Sequence, residues 1–309
     1  MSAKDYCIIS KFNLAVLILV FKLCEFTGIS ANVSLPKDDV RNVPQDLWTP
    51  AMTIGEPLPG KRVKAVTEGY ESTSVYHALY LPTNWKPHER YPVIVEYAGN
   101  GPYTSPSGDF SSGLVEGSNL GYGMSAGRNF IWVCMPFVAV TNGVKSNARY
   151  WWGNLEETVT YCERTVRDVC ERYGGDTNAL ILAGFSRGAI AVNYIGLHDD
   201  KIASLWRAFV LHSHYDGVIT NWHYAGADRG SALVRLKRLD GRPQFVSQEV
   251  STDATRIYLE QTGVKAPFTF QALSCRNHSD DWVLRDLPER GKLRSWLKSV
   301  LKEYNILAE

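Results

Sequence analysis

Two stretches of the sequence place a serine between glycines at the spacing Gly-x-Ser-x-Gly. One is 184–188, with Ser186 at its centre, and the other is 123–127, with Ser125 at its centre. At a nucleophile elbow this spacing joins a buried strand to a helix, and the sharp turn lifts the serine above the sheet. Ser186 follows the apolar run 179–183 and precedes a helix-like segment, whereas Ser125 follows a glycine-rich loop and leads into a strand. The sequence therefore predicts Ser186 as a nucleophile and Ser125 as part of a helix-to-strand connection.

His278 is the residue that the sequence predicts as the base for Ser186. A serine hydroxyl is a weak nucleophile until a positioned base takes its proton. In this topology the partners follow in the order serine, acid, histidine. His278 lies between a strand predicted at 267–274 and a helix predicted at 289–304. The other histidines after Ser186 are expected to be surface or pocket residues: His198, His212, His214 and His223.

Two aspartates compete for the acidic position of this arrangement. Asp253 follows the strand predicted at 244–246, and the segment between it and His278 has room for one helix and one strand. Asp253 is therefore preferred, although it could instead cap the helix predicted at 254–262. Asp216 ends the preceding strand and is the alternative. The same window of sequence also contains Asp199, Asp200, Asp228, Asp240, Glu249 and Glu260.

Two backbone N–H groups are expected to stabilise an oxyanion beside Ser186. One belongs to Arg187, the residue that follows the serine. The second is expected from Asn100, within the turn Gly99-Asn100-Gly101 that follows the strand predicted at 91–97. Glycines in this turn allow the backbone to approach a substrate closely, although the same residues also suit an ordinary turn.

The segment 212–216 raises the alternative of a metal-dependent hydrolase. Its pattern His-x-His-x-Asp can hold a divalent cation and follows a predicted strand. No further cluster of histidines or carboxylates in the sequence completes such a site. The prediction is therefore a serine mechanism without a metal.

Aromatic residues in loops near the expected site are candidates for substrate binding. Their rings suit stacking on a sugar or a phenolic group, and they also suit ordinary loop packing. The candidates are Tyr103, Trp151, Trp152 and Trp222, with Tyr224 beside them.

Strand-like and helix-like segments alternate from about residue 62 onward. Apolar runs typical of strands buried on both faces occur at 91–97, 130–135, 179–183 and 208–211. An amphipathic pattern at 155–172 predicts a helix, which the following glycines end. The alternation predicts an α/β fold, with a mostly parallel central sheet covered by helices on both faces and a loop-rich insertion at 215–240.

Together these features resemble the α/β-hydrolase superfamily over roughly residues 75–304. The serine turn after its strand, His278 before the last helix, and the segment 97–101 carry the resemblance. Secreted esterases of the polyhydroxyalkanoate-depolymerase and feruloyl-esterase type look most similar. The resemblance implies hydrolysis of a small-molecule or polymer ester through an acyl-enzyme, without a cofactor. Ala98 departs from the family pattern by replacing the histidine that usually precedes the oxyanion glycines.

Two other functions stay open on the sequence. A serine peptidase or amidase uses the same set of residues. A non-catalytic relative that acts as a binding module would normally have lost the serine or the histidine, and both are present.

The N-terminus and the composition constrain where the protein acts. Lys4 and Lys11 precede an apolar run at 12–21, and small residues follow up to Ala31, as in a signal peptide. A signal peptide at 1–31 and one catalytic domain at 32–309 are therefore predicted, with a secreted or periplasmic location. The formal net charge of +1 gives no reason to expect a nucleic-acid partner. No apolar run is long enough for a stable membrane span.

Four cysteines follow the predicted cleavage site: Cys134, Cys162, Cys170 and Cys275. Cys162 and Cys170 lie on one predicted helix, about 12 Å apart along its axis, which is too far for a disulfide. Other pairings and buried free thiols both stay open.

Overall fold

The computed structural model describes residues 36–302, and the predicted signal peptide at 1–31 lies outside the described residues. The strands are β1 Met52–Thr53, β2 Arg62–Ala65, β3 His77–Tyr80, β4 Tyr91–Tyr97, β5 Tyr103–Thr104, β6 Phe110–Ser111, β7 Ile131–Met135, β8 Val138–Thr141, β9 Val144–Asn147, β10 Gly175–Phe185, β11 Ala208–His212, β12 Gln244–Glu249 and β13 Phe268–Leu273. The helices are α1 Leu120–Ser125, α2 Leu155–Tyr173, α3 Arg187–Tyr194, α4 Asp200–Ala203, α5 Arg229–Leu236, α6 Asp253–Thr262 and α7 Pro288–Val300.

A nine-stranded sheet holds these elements together in the order β1-β2-β3-β7-β4-β10-β11-β12-β13. The strand β3 runs antiparallel to β2 and β7, and the remaining neighbours in the sheet are parallel. The pairs β5–β6 and β8–β9 form separate hairpins. The predicted α/β fold with a mostly parallel central sheet is confirmed.

Hydrophobic side chains pack on both faces of the sheet. In β10, Leu180 and Leu182 join one core cluster, while Ile181 and Ala183 join the other. The first cluster lies beneath α2 and α3, and the second lies beneath α1 and α7. This alternation explains why the central strands are apolar at successive positions, since neither face of the sheet meets water.

The carboxyl ends of three neighbouring strands meet at one edge of the sheet. Phe185 at the end of β10 pairs with His212 at the end of β11, and His212 pairs with Ser247 near the end of β12. Because these strands are parallel, the residues that follow Phe185, His212 and Ser247 emerge side by side. The loops after these strands can therefore bring polar side chains to a common site.

The insertion at 215–240 contains more regular structure than the sequence predicts. Helix α5 lies within it and begins where the Asp228 carboxylate accepts a hydrogen bond from the Ser231 N–H. Asp216 forms an ion pair with Arg235 of α5, with 2.8 Å between Oδ2 and Nε. The N-cap and the buried ion pair together explain why this polar segment folds back as a helix.

The four cysteines of the described residues, Cys134, Cys162, Cys170 and Cys275, are buried free thiols. Burial raises the pKa of Cys162 to about 12, so its thiol stays protonated. Within the described part of the chain, no helix combines the length and the apolar character that a membrane crossing requires.

Gly188 and Gly291 offer opposite outcomes for the same substitution to alanine. A Cβ on Gly188 would lie 1.9 Å from the Tyr97 carbonyl oxygen, whereas a Cβ on the exposed helical Gly291 meets nothing within 4 Å. Gly188→Ala should therefore lower the free energy of unfolding by about 3 kcal/mol or more. Gly291→Ala should raise it by about 0.5–1 kcal/mol. Urea unfolding followed by circular dichroism measures both, and equal stabilities would contradict the described packing.

Candidate active site

Ser186 occupies a strained turn between β10 and α3. Its φ is 54° and its ψ is −117°, in a region that non-glycine residues rarely adopt. Both flanking glycines are required by close contacts: a Cβ on Gly184 would lie 2.1 Å from the Gly188 carbonyl oxygen, and Gly188 itself abuts Tyr97. The Ser186 N–H donates to the His212 carbonyl at 2.9 Å. The turn therefore presents the Ser186 side chain at the edge where the strands end.

A chain of hydrogen bonds runs from Ser186 through His278 to a carboxylate. The distance from Ser186 Oγ to His278 Nε2 is 2.9 Å, and the distance from His278 Nδ1 to Glu249 Oε1 is 3.0 Å. The backbone N–H of His278 donates a hydrogen bond to Asp109 Oδ1 at 2.9 Å, and this bond fixes the loop that carries the imidazole. The structure thus brings together the two residues that the sequence selects, Ser186 and His278.

The carboxylate beside His278 belongs to Glu249, and this corrects both aspartate predictions. Asp253 is exposed at the first position of α6, and its backbone N–H donates to Ser251 Oγ at 3.1 Å. Asp216 is buried, and its two carboxylate oxygens are engaged by Arg235. Neither aspartate contacts His278, because one lies on a helix facing solvent and the other anchors the insertion.

Sequence reasoning missed Glu249 because it ended the strand too early. The apolar run stops at Val246, but β12 continues through the polar residues 247–249. In register with β13 the strand remains paired up to Glu249, which lies opposite Leu273. The signal that could have identified Glu249 is its place at the carboxyl end of a parallel strand, since such ends carry functional residues in this fold.

Electrostatics favour an ionised Glu249 next to His278. Burial alone would raise the pKa of Glu249, but the hydrogen bond from His278 and the electrostatic interactions with the His212 and His278 imidazoles lower it to about 2. The pKa of a neighbouring imidazole, His214, is also lowered, and for a histidine this favours the uncharged form. Burial and the charge on His278 lower the pKa of His214 to about 4, so His214 presents a neutral ring at physiological pH. The site therefore combines a fixed negative charge with an uncharged imidazole beside the base.

Arg187 links the serine turn to two loops. Its guanidinium, 1% exposed, donates to the Gly99 carbonyl at 2.8 Å and to the Trp151 carbonyl at 2.6 Å. It also lies 3.9 Å from the centre of the Phe137 ring. The Arg187 N–H is the first of α3, and the first N–H groups of a helix have no acceptor within it. That N–H is therefore suited to an external acceptor beside Ser186.

Asn100 connects the predicted oxyanion turn to the aromatic loop. Its side-chain oxygen accepts a hydrogen bond from the Trp151 N–H at 2.7 Å. A Cβ on the preceding residue, Gly99, would lie 2.9 Å from Ser111 Oγ and 3.2 Å from the Phe185 ring. The turn is thus packed closely against the end of β10. The role of the Asn100 N–H as an oxyanion donor stays a prediction.

The His-x-His-x-Asp segment does not converge on one point. The His212 ring, fully buried, contacts Ser247 Oγ at 3.0 Å and the Ser279 carbonyl at 3.2 Å. His214 faces His278, and Asp216 is paired with Arg235. Among residues 36–302, no three histidines, cysteines or carboxylates are grouped as a metal site would require.

Aromatic rings extend from His278 towards the insertion. The centroids are 5.2 Å apart for His278 and His214, 5.9 Å for His214 and Trp222, and 5.2 Å for Trp222 and Trp151. We call His214, Trp222 and Trp151 the aromatic wall. On another side, Tyr103 stacks on His278 with 6.0 Å between centroids.

Trp152 does not line the site as the sequence predicts. It is 5% exposed, and its ring stacks on Tyr194 with 4.8 Å between centroids. The two consecutive tryptophans thus point to different environments, because Trp151 adopts a positive φ of 47° that turns the chain between them. Trp152 supports Trp151 from the core side.

Comparisons with known proteins bear on the fold. The chain matches no protein-family model and no curated protein sequence. The solved apo form of Thermogutta terrifontis esterase 2 is similar, with a TM-score of 0.53 and 14% identity over 82% of this chain and 98% of that chain. The AtxE2 isopeptidase with astexin3-dC4 bound gives a TM-score of 0.50 and 14% identity, covering 80% of this chain and 41% of that chain.

A thermostable esterase gives a TM-score of 0.49 and 13% identity over 77% of this chain, which spans 62% of that chain's length. The 14% identity with Thermogutta terrifontis esterase 2 establishes a shared fold and nothing finer. The sheet order, the serine turn and the similarity to that esterase together show that the chain has the α/β-hydrolase fold.

Glu249→Gln should change how stability depends on pH. A carboxylate whose pKa is near 2 when folded and about 4.5 when unfolded stabilises the folded state above pH 4.5. This contribution is lost as the pH falls towards 2. The free energy of unfolding of the wild type should therefore decrease relative to that of Glu249→Gln between pH 4.5 and pH 2. Asp253→Asn, which removes an exposed carboxylate that does not contact His278, is the control; the same change of stability with pH in both variants would contradict the prediction.

Proposed function

We propose that the protein is a serine hydrolase that cleaves carboxylic esters through an acyl-enzyme. The observation that carries this proposal is the hydrogen-bonded chain of Ser186, His278 and Glu249 at the carboxyl edge of the sheet. The order of these residues along the sequence is serine, acid, histidine, as the α/β-hydrolase fold requires. Sequence and geometry therefore support the same chemistry.

The geometry supports a two-stage reaction. Ser186 Oγ attacks the ester carbonyl while His278 Nε2 takes its proton, and the imidazolium then protonates the departing alcohol. Water, deprotonated by His278, hydrolyses the acyl-Ser186 intermediate and releases the acid. Glu249 holds the Nδ1–H of His278 and so keeps Nε2 free to accept a proton. The carboxylate also stabilises the imidazolium of each transition state.

The oxyanion that forms in each stage would be stabilised by the N–H groups of Arg187 and Asn100. Donors placed in advance at such a position contribute about 2.7–4 kcal/mol each. The guanidinium of Arg187 supports both, since it binds the Gly99 carbonyl and carries a positive charge directly behind the serine turn.

The aromatic wall favours an ester with an aromatic or sugar ring. Trp222 and Trp151 are half-buried, so each keeps part of its ring open to a ligand. Esters of this kind include feruloyl esters of sugars, which suits the resemblance to feruloyl esterases rather than to the polyhydroxyalkanoate depolymerases, whose polymer substrate is aliphatic. The predicted signal peptide would place this activity in a secreted or periplasmic protein.

Replacement of the nucleophile tests the mechanism. Ser186→Ala should lower kcat for p-nitrophenyl acetate by about 10⁴- to 10⁶-fold while the protein stays folded, because covalent chemistry is lost. The matched control is Ser125→Ala, since Ser125 is also a buried serine in a Gly-x-Ser-x-Gly sequence but donates to the Gly121 carbonyl at 2.8 Å. This control should retain activity and labelling by an organophosphate.

Organophosphate labelling is an apt second measurement because Thermogutta terrifontis esterase 2, a protein of the same fold, is phosphorylated by paraoxon. Label that persists in Ser186→Ala would overturn the proposed nucleophile. A p-nitroanilide of the same acyl group should be cleaved far more slowly than the ester. Equal or preferential cleavage of the anilide would show that the protein is an amidase rather than an esterase.

The aromatic wall predicts a selective effect on substrate affinity. Trp222→Ala should raise KM for a feruloyl ester by about 2- to 12-fold, since stacking contributes about 0.5–1.5 kcal/mol, and should leave KM for p-nitrophenyl acetate nearly unchanged. Trp48→Ala is the control, because Trp48 is a tryptophan that is 67% exposed and outside the wall. Equal changes in KM for both esters would show that the aromatic wall does not bind the ring of the substrate.

A further inference from the structure

Ser213 lies between the acid and the base of the proposed triad. Its Oγ is 2.7 Å from Glu249 Oε1 and 2.9 Å from Glu249 Oε2. The same Oγ is 2.6 Å from His278 Nδ1. A hydroxyl both donates and accepts, so Ser213 can donate to the carboxylate while it accepts from the Nδ1–H of the imidazole. The contact to His278 is shorter than the direct contact between His278 and Glu249.

The backbone of Ser213 is strained in a way that serves this contact. Its φ is 86°, in the left-handed region that favours glycine. The conformation is held from both sides: the Ser213 N–H donates to the Ser247 carbonyl at 2.8 Å, and Gln248 Nε2 donates to the Ser213 carbonyl at 3.2 Å. A serine kept at a position where glycine fits better indicates that its side chain has a function.

The strand register explains how the hydroxyl reaches its partners. Ser213 directly follows the end of β11, and His212 pairs with Ser247 of β12. Glu249 lies two residues beyond that pair, so the chain leaving β11 passes beside its carboxylate. The side chain of Ser213 is buried, and water therefore does not replace its hydrogen bonds readily.

We propose that Ser213 is a positioning residue: its hydroxyl donates a hydrogen bond to the Glu249 carboxylate, accepts one from the Nδ1–H of His278, and so holds the two groups in place relative to each other. We call this pair of hydrogen bonds the relay. This inference rests on the proposed function of the triad. Ser213 does not touch the substrate in this assignment; it acts through Glu249 and His278. The hydrogen bond from Ser213 also favours the ionised form of the carboxylate and so contributes to the lowered pKa of Glu249.

Ser213→Gly tests the relay because glycine suits the backbone and lacks the hydroxyl. Its Tm should equal or exceed that of the wild type, while kcat for p-nitrophenyl acetate should fall about 10- to 100-fold with KM unchanged. Ser247→Ala is the matched control: it removes a buried hydroxyl that contacts His212 rather than His278. A fall in Tm without a fall in kcat would show that Ser213 is merely structural and would overturn the proposal.

A double-mutant cycle tests whether Ser213 acts through Glu249. Glu249→Gln alone should lower kcat by about 10⁴-fold. In that background, Ser213→Gly should reduce kcat by less than about 3-fold, because the relay is already broken. Additive effects of the two substitutions would overturn the proposal.

A measurement without substrate separates this proposal from the proposed function. The Nδ1–H proton of His278 should give a low-field nuclear magnetic resonance signal that shifts in Ser213→Gly and stays in place in Ser247→Ala. An unshifted signal would overturn the role of Ser213. If the signal shifts but the wild type hydrolyses no ester, the contact stands and the esterase proposal fails.

Discussion

The close approach of α3 to the end of β4 governs how the site is assembled. Gly188 lies so near the carbonyl of Tyr97 that no side chain fits between them. This contact sets the first turn of α3 against the loop that follows β4, and it thereby sets Ser186 beside the predicted oxyanion turn. Because β10, β11 and β12 are aligned in parallel, a fixed position for Ser186 also fixes where Glu249 must arrive. The imidazole of His278 then lies between Ser186 and Glu249, whose separation is set by the sheet.

A buried cation holds the opposite side of the serine turn. Burying a guanidinium costs free energy unless its donors are satisfied and its charge is compensated. Arg187 meets backbone carbonyls from the turn at Gly99 and the loop at Trp151, with the Phe137 ring against its face. Among residues 36–302 it has no carboxylate partner, so its positive charge is not neutralised locally. The guanidinium therefore ties two loops together and leaves a positive potential behind the serine turn.

Much of this architecture could be predicted from the sequence because each apolar strand carries its own signal. The run 179–183 and the helix-like segment after it predict Ser186 as the nucleophile from local sequence alone. The position of His278 after the last strand predicts it as the base. The carboxylate that contacts His278 could not be found in the same way. Glu249 lies in the polar extension of β12, where local composition favours a loop and pairing with β13 overrides it. Ser213 carries no sequence signal at all, since its contacts arise only from the strand register.

The ion pair between Asp216 and Arg235 joins two ends of the same insertion. This ion pair stabilises the insertion through its own residues. Trp222, which lies near the site, belongs to the same insertion. The residues proposed to break the ester bond, by contrast, lie at or just after the ends of strands that belong to the sheet. Under the proposed function, evolution can therefore exchange or remodel the insertion, and with it the preferred acyl or alcohol group, while Ser186, Glu249 and His278 stay where the sheet holds them. Substrate choice and reaction type would then be separable traits.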